Sequence, residues 1–114
     1  MAKVDFTNKI ERLEVFEERL EVNLESLFAA LDADDEDNYS MEILGELQAR
    51  DGTNLKENIK IVASVYDKSG RIIATDDSTF YSEEDFYGLE AFQIRFFNLA
   101  TPEISKIRLY PKKA

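Results

Sequence analysis

Histidine, cysteine and tryptophan are absent from these 114 residues, which include only four glycines and two prolines. Without histidine or cysteine, the commonest general base, the thiol nucleophile and the usual transition-metal ligands are gone; carboxylates, lysine and tyrosine remain for proton transfer. Catalysis is therefore not expected, and no catalytic residue is assigned. Disulfides are excluded outright. Four glycines, each fitting a strand or a turn, leave no glycine-rich phosphate loop. No apolar run approaches the length that spans a bilayer, and the opening Met1–Asp5 has no apolar signal core. The expected setting is the cytoplasm, with a soluble domain of a longer cell-envelope protein as the alternative.

What is present is acid and apolar surface together. Asp and Glu number 24 against 14 Lys and Arg, giving a net charge of −10, while 44% of residues are hydrophobic. That apolar content is too high for a disordered chain, so the charge belongs on the surface of one folded domain. The net field repels phosphate backbones and anionic bilayers, so neither nucleic acid nor membrane is the expected partner. Residues 1–50 hold 14 acids against 5 bases and residues 51–114 hold 10 against 9; a basic protein could dock on the first half, or that half is simply a solvated acidic face.

From Met41 onward the apolar residues alternate, as half-buried strands require. Met41, Ile43 and Leu47 share a face with Gly45 falling inward, and Ile59, Ile61, Ala63 and Val65 line a second strand. Asp67-Lys68-Ser69-Gly70 fits a hairpin loop with glycine in the left-handed position, returning through Arg71 to Thr75. Phe92, Ile94 and Phe96 mark another strand, and Ile107 and Leu109 a last one closed by Pro111. Strands about ten residues apart suggest a sandwich. The first thirty residues fit two periods. Ile10, Leu13, Phe16, Leu20, Leu24, Leu27, Phe28 and Leu31 would line a helix, with Asn8 and Glu11 placed like a capping box. Leu20, Val22, Leu24, Phe28 and Ala30 also alternate with polar residues, which favours a strand over 19–31 after a lead-in that is helical within 8–18.

The segment Ile43 to Ala49, followed after a polar turn by Asn58 to Ile73, resembles the FxLYD family of bacterial and archaeal domains. Tyr66-Asp67 and the turn glycine carry the likeness, whereas Ala63 and Val65 stand where the motif has Phe and Leu. The resemblance covers roughly residues 41–110. It implies a mainly β, antiparallel, immunoglobulin-like sandwich, here over residues 19–114 behind a lead-in at 1–18, and an accessory module without catalysis.

Two clusters are the candidate sites. Asp32, Asp34, Asp35 and Asp37 lie in a run of five carboxylates within six residues that could gather oxygens around Ca²⁺, the alternative to a cofactor-free module. The run is not an EF-hand, because Asp37 stands where that loop needs Gly and Ile43 where it needs Glu. The plainer expectation is a solvated loop between strands. Tyr81, Phe86 and Tyr87, with Phe80, bracket an acidic connection and form a candidate protein- or peptide-binding rim; alternatively Phe80 and Phe86 plug the end of the sandwich. The function expected is a non-catalytic interaction or scaffold module, recognising protein or peptide by a sheet edge or end loops, with homo-oligomerisation left open. A small acidic hydrolase would need two carboxylates converging in a pocket, and a charge mimic of nucleic acid would need carboxylates spaced along one face.

Overall fold

The computed structural model describes residues 3–35, 38–50, 52, 55–82 and 88–114, with backbone alone at Asp34 and Asp35. Alternating apolar residues produce the strands they predict. In chain order the elements are β1 (Lys3–Asp5), a 3-10 turn (Thr7–Lys9), β2 (Ile10–Arg12), α1 (Glu14–Arg19), β3 (Val22–Asp35), β4 (Asn38–Ala49), β5 (Ile59–Asp67), β6 (Ile72–Phe80), β7 (Leu89–Leu99) and β8 (Ile104–Lys113). Two four-stranded sheets pack face to face as the expected mainly β sandwich. Sheet I has the order β1-β3-β4-β7, and sheet II β2-β8-β5-β6. Every pair is antiparallel except β2 with β8, which is parallel. The inward faces supply one core, including Leu24, Met41, Ile43, Leu47, Ile59, Ile61, Ile94, Ile107 and Leu109. Among the described residues no helix is long and apolar enough to cross a membrane.

The N-terminal third differs most from expectation. Only residues 14–19 of the lead-in form an α-helix; residues 3–5 and 10–12 add a short strand to each sheet. No capping box exists, because Asn8 lies in the 3-10 turn and Glu11 in β2, while α1 begins after Leu13 without a side-chain cap. Glu14 and Glu17 in the first turn and Arg19 in the last suit the helix dipole. Glu21, at φ 56°, then turns the chain, so the strand begins at Val22 and not at residue 19.

β3 also runs past residue 31 into the acidic run. Its alternation breaks at Ser26, whose φ of 53° accompanies a bulge between Glu25 and Phe28. Val22 and Leu24 point inward before the bulge, and Leu27, Ala29 and Leu31 after it. Phe28, expected inside, is therefore 39% exposed on the outer face. The bulge sits opposite Gly45. A Cβ on Gly45 would lie 2.6 Å from the Phe92 ring and 2.7 Å from a Leu27 methyl, so glycine makes room for both side chains.

Two further differences concern strand ends. β8 continues through Pro111, which pairs with Ile61, to Lys113. The Ala114 amide donates to the Asn58 carbonyl at 3.0 Å, which turns alternate residues Lys112 and Tyr110 toward β5 and Pro111 toward the opposite edge. There β2 has already ended, so the missing N–H of Pro111 breaks no ladder. The hairpin at 67–70 forms as expected, with Gly70 at φ 82° and Asp67 Oδ1 accepting from the Ser69 and Arg71 amides at 2.9 and 3.0 Å. Its returning strand extends to Phe80.

Gly45→Ala should lower stability by about 1–3 kcal/mol, because the new methyl must displace Phe92 and Leu27. Adding Phe92→Leu should recover part of that loss. Urea midpoints check both, and an unchanged midpoint for the single variant would contradict the close packing.

Candidate functional site

The sandwich separates charge by face. Strand pairing places Asp5, Glu25, Asp32, Glu42 and Glu46 on the outer face of sheet I, accompanied by Lys3 and Arg95. On the outer face of sheet II the same register places Lys106, Arg108, Tyr110 and Lys112 on β8 and Tyr66 and Lys60 on β5, with Glu11 and Asp77 as carboxylates beside them. A chain of net charge −10 thus presents one mainly basic, aromatic face.

Tyr66 anchors one end of this face. The Lys106 ammonium lies 4.8 Å and the Arg108 guanidinium 5.3 Å from its ring centroid, both within cation–π range. Arg108 Nε donates to Glu11 Oε1 at 2.8 Å, joining β8 to β2. This bond is the main reason Glu11 titrates below the ordinary glutamate range. At the other end Lys60 stands directly opposite Lys112. Like charges in opposed positions are unfavourable, and no carboxylate among the described residues pairs with either lysine.

Beside Lys112 a groove of about 640 Å³ opens between α1 and the end of β8. Phe16, Leu20, Tyr110 and Pro111 give it an apolar lining, and Arg19, Lys112 and Lys113 a mainly basic rim in which Glu57 pairs with Lys113 at 3.4 Å. The Phe16 and Tyr110 rings are 5.7 Å apart, with the Arg19 guanidinium 5.8 Å over Phe16. The groove exists because α1 is pinned. Glu17, 1% exposed, accepts from Arg12 Nη2 at 2.5 Å, from Arg12 Nε at 3.1 Å and from the Leu24 amide at 2.9 Å. Its carboxylate in turn holds the Arg12 guanidinium above its usual range.

The residues singled out in the sequence fall elsewhere. Asp32 lies in β3, not in a loop, between Lys3 and Ser40 in register. Asp34 and Asp35 also belong to β3, their side chains undescribed, and Asp37 lies outside the described residues. Among the described residues no three acidic side chains converge as a metal site. Tyr81 is 48% exposed just beyond β6, at the same end of sheet II as Lys112; Phe86 and Tyr87 lie outside the described residues. Phe80 is buried as a plug. The sequence reading missed Phe16, Arg19 and Lys112 as neighbours; the alternation of Lys106, Arg108, Tyr110 and Lys112 was the one available signal.

Compared with protein-family models, with curated proteins and with solved structures, the chain matches none of them. Its functional reading therefore rests on its own residues.

Hydrogen bonds from Arg108 and Arg95 respectively hold Glu11 and Glu42 below the ordinary glutamate value of 4.5. Carboxylates depressed in the folded state stabilise it above that value and lose the contribution as pH falls through their folded values. Urea midpoints should therefore drop as pH is lowered from about 6 to about 3, and less steeply in a Glu11→Gln/Glu42→Gln variant. An identical slope would contradict these bonds.

Proposed function

We propose that the chain is a non-catalytic protein-interaction module whose outer sheet II face captures an acidic segment of a partner protein or peptide. The observation that carries this reading is the Lys60–Lys112 couple, opposed and without a carboxylate partner among the described residues, beside the aromatic groove at Phe16 and Tyr110. Two cations without a carboxylate partner among the described residues, Lys112 on the rim of an apolar cleft and Lys60 beside it, favour a ligand bringing carboxylates for the cations and one apolar or aromatic side chain for the cleft. Tyr81 stands at the same end of the sheet and extends the rim.

The FxLYD-type, immunoglobulin-like identity belongs to the same proposal. In its favour are the two-sheet sandwich and the Tyr66–Arg71 hairpin. The strand order favours it too: β3 and β4 are neighbours in one sheet and the chain then crosses to β5 in the other, as strands A, B and C do in the ABED/CFG order of an immunoglobulin constant domain.

The test is calorimetric titration with a glutamate-rich peptide bearing one phenylalanine, against a lysine-rich peptide of the same length. The acidic peptide should bind, weaken with added salt, and lose about tenfold or more in affinity to Lys112→Glu. Equal binding by both peptides, or by the variant, would refute the assignment of this face.

A further inference from the structure

On the opposite side of the molecule, the outer face of sheet I holds a cavity of about 240 Å³ that the peptide-binding reading does not use. Its lining includes Lys3, Asp32, Ser40, Glu42, Arg95 and Phe97. The strands that build it are fixed by register: Lys3, Asp32 and Ser40 form one row across β1, β3 and β4, and Glu42 and Arg95 the next across β4 and β7. Phe97 shares this face by simple alternation with Gln93 and Arg95, and the irregularity that follows, with Asn98 at φ 58°, turns Leu99 inward. Its ring is 64% exposed, the most of any large apolar side chain described.

The charges in this cavity are unequally satisfied. Glu42 Oε2 accepts from Gln93 at 2.8 Å and from Arg95 at 3.0 and 2.7 Å, so that carboxylate is already engaged. Asp32 is not. Its Oδ1 is buried and has no hydrogen-bond partner among the described residues, and although Lys3 is its direct neighbour in register, no ion pair joins them. A carboxylate oxygen shielded from water and left unpaired is costly, and the group that relieves it must be a donor, best a cation. An exposed aromatic ring in the same cavity adds the second element of an alkylammonium site, since a ring face attracts such cations.

We infer that this cavity binds a primary alkylammonium group, with the Asp32 carboxylate turning about its soft terminal torsion to accept from the ammonium and Phe97 covering its alkyl stem. The site is independent of the sheet II face, so either assignment stands or falls without the other. The ligand's source is a lysine side chain of a second protein or a free small amine, and both present the same chemistry to Asp32.

Amide chemical-shift titrations of the intact chain test this, using n-butylammonium as the free amine and Nα-acetyl-lysine N-methylamide as the peptide lysine. An uncharged control, Nα-acetyl-norleucine N-methylamide, completes the set. Saturable shifts at Asp32, Ser40 and Phe97 by the two cations and not by the control are expected. Equal affinities would point to a free amine, and tighter binding of the lysine derivative to a protein side chain. Asp32→Asn should weaken binding about tenfold or more and Phe97→Ala several-fold. Lys3→Gln removes the cation that competes for Asp32 and should tighten binding, which keeps the test decisive should the Asp32 variant fail to fold. No saturable shift in the wild-type chain, equal shifts by the norleucine control, undiminished binding in Asp32→Asn, or loss of binding in Lys3→Gln would overturn the inference.

Discussion

The fold turns on one buried carboxylate. The Arg50 amide donates to the Glu21 carbonyl, so residues 21, 23 and 25 direct their backbone groups toward β4 and Leu24 directs its own to the open edge of β3. β1 begins its pairing with β3 only at Ala30, which would leave the Leu24 amide buried and unpaired. Glu17 fills that gap from α1 and takes the fork of Arg12 from β2 in the same stroke. One side chain thereby ties sheet I, sheet II and the helix between them. Arg12 remains 37% exposed on its side chain, which softens the desolvation cost that a fully buried pair would carry. The orientation of α1 follows, and with it the position of Phe16 against Tyr110 that walls the groove.

Net charge alone describes this molecule poorly. Part of the excess acid in the first half of the sequence, Asp5, Glu25, Asp32, Glu42 and Glu46, lies on the outer face of sheet I, because β1, β3 and β4 lie there, while the near-neutral second half supplies the β5 and β8 rows of sheet II. Long-range repulsion of anions by the whole body and short-range attraction at one face act at different distances. An acidic peptide must therefore approach the sheet II face in particular, which favours orientation over raw affinity. The same partition leaves Asp32 under-satisfied on the acidic side, where a cation and not an anion would be drawn.

Strands β4, β5, β7 and β8 were legible because each has one buried face and a period of two over most of its length: Met41, Ile43, Leu47 and Phe92, Ile94, Phe96 are inward as their spacing implies. The N-terminal third was not, since Ser26 in a left-handed conformation carries no mark in the sequence, and one inserted residue sends Phe28 outward. Glu17 was equally hidden. In a chain with 24 acids nothing distinguishes the carboxylate that folds inward from those that face water. The groove escaped notice for a related reason: it depends on a parallel contact between Ile10–Arg12 and Ile107–Leu109, residues from opposite ends of the chain. The cations and aromatics of β8 were visible as an alternation, but their convergence with Phe16 and Arg19 was not.

The claim that Glu17 and Arg12 act as one clamp is tested most directly by a double-mutant cycle on Arg12→Met and Glu17→Met, read from urea denaturation. The account predicts that each single variant is destabilised and that the double variant loses less than their sum, with a coupling of about 1–3 kcal/mol. It also predicts that exchange of the Leu24 amide speeds up whenever Glu17 is replaced. Additivity within about 0.5 kcal/mol, with Leu24 exchange unchanged, would contradict it.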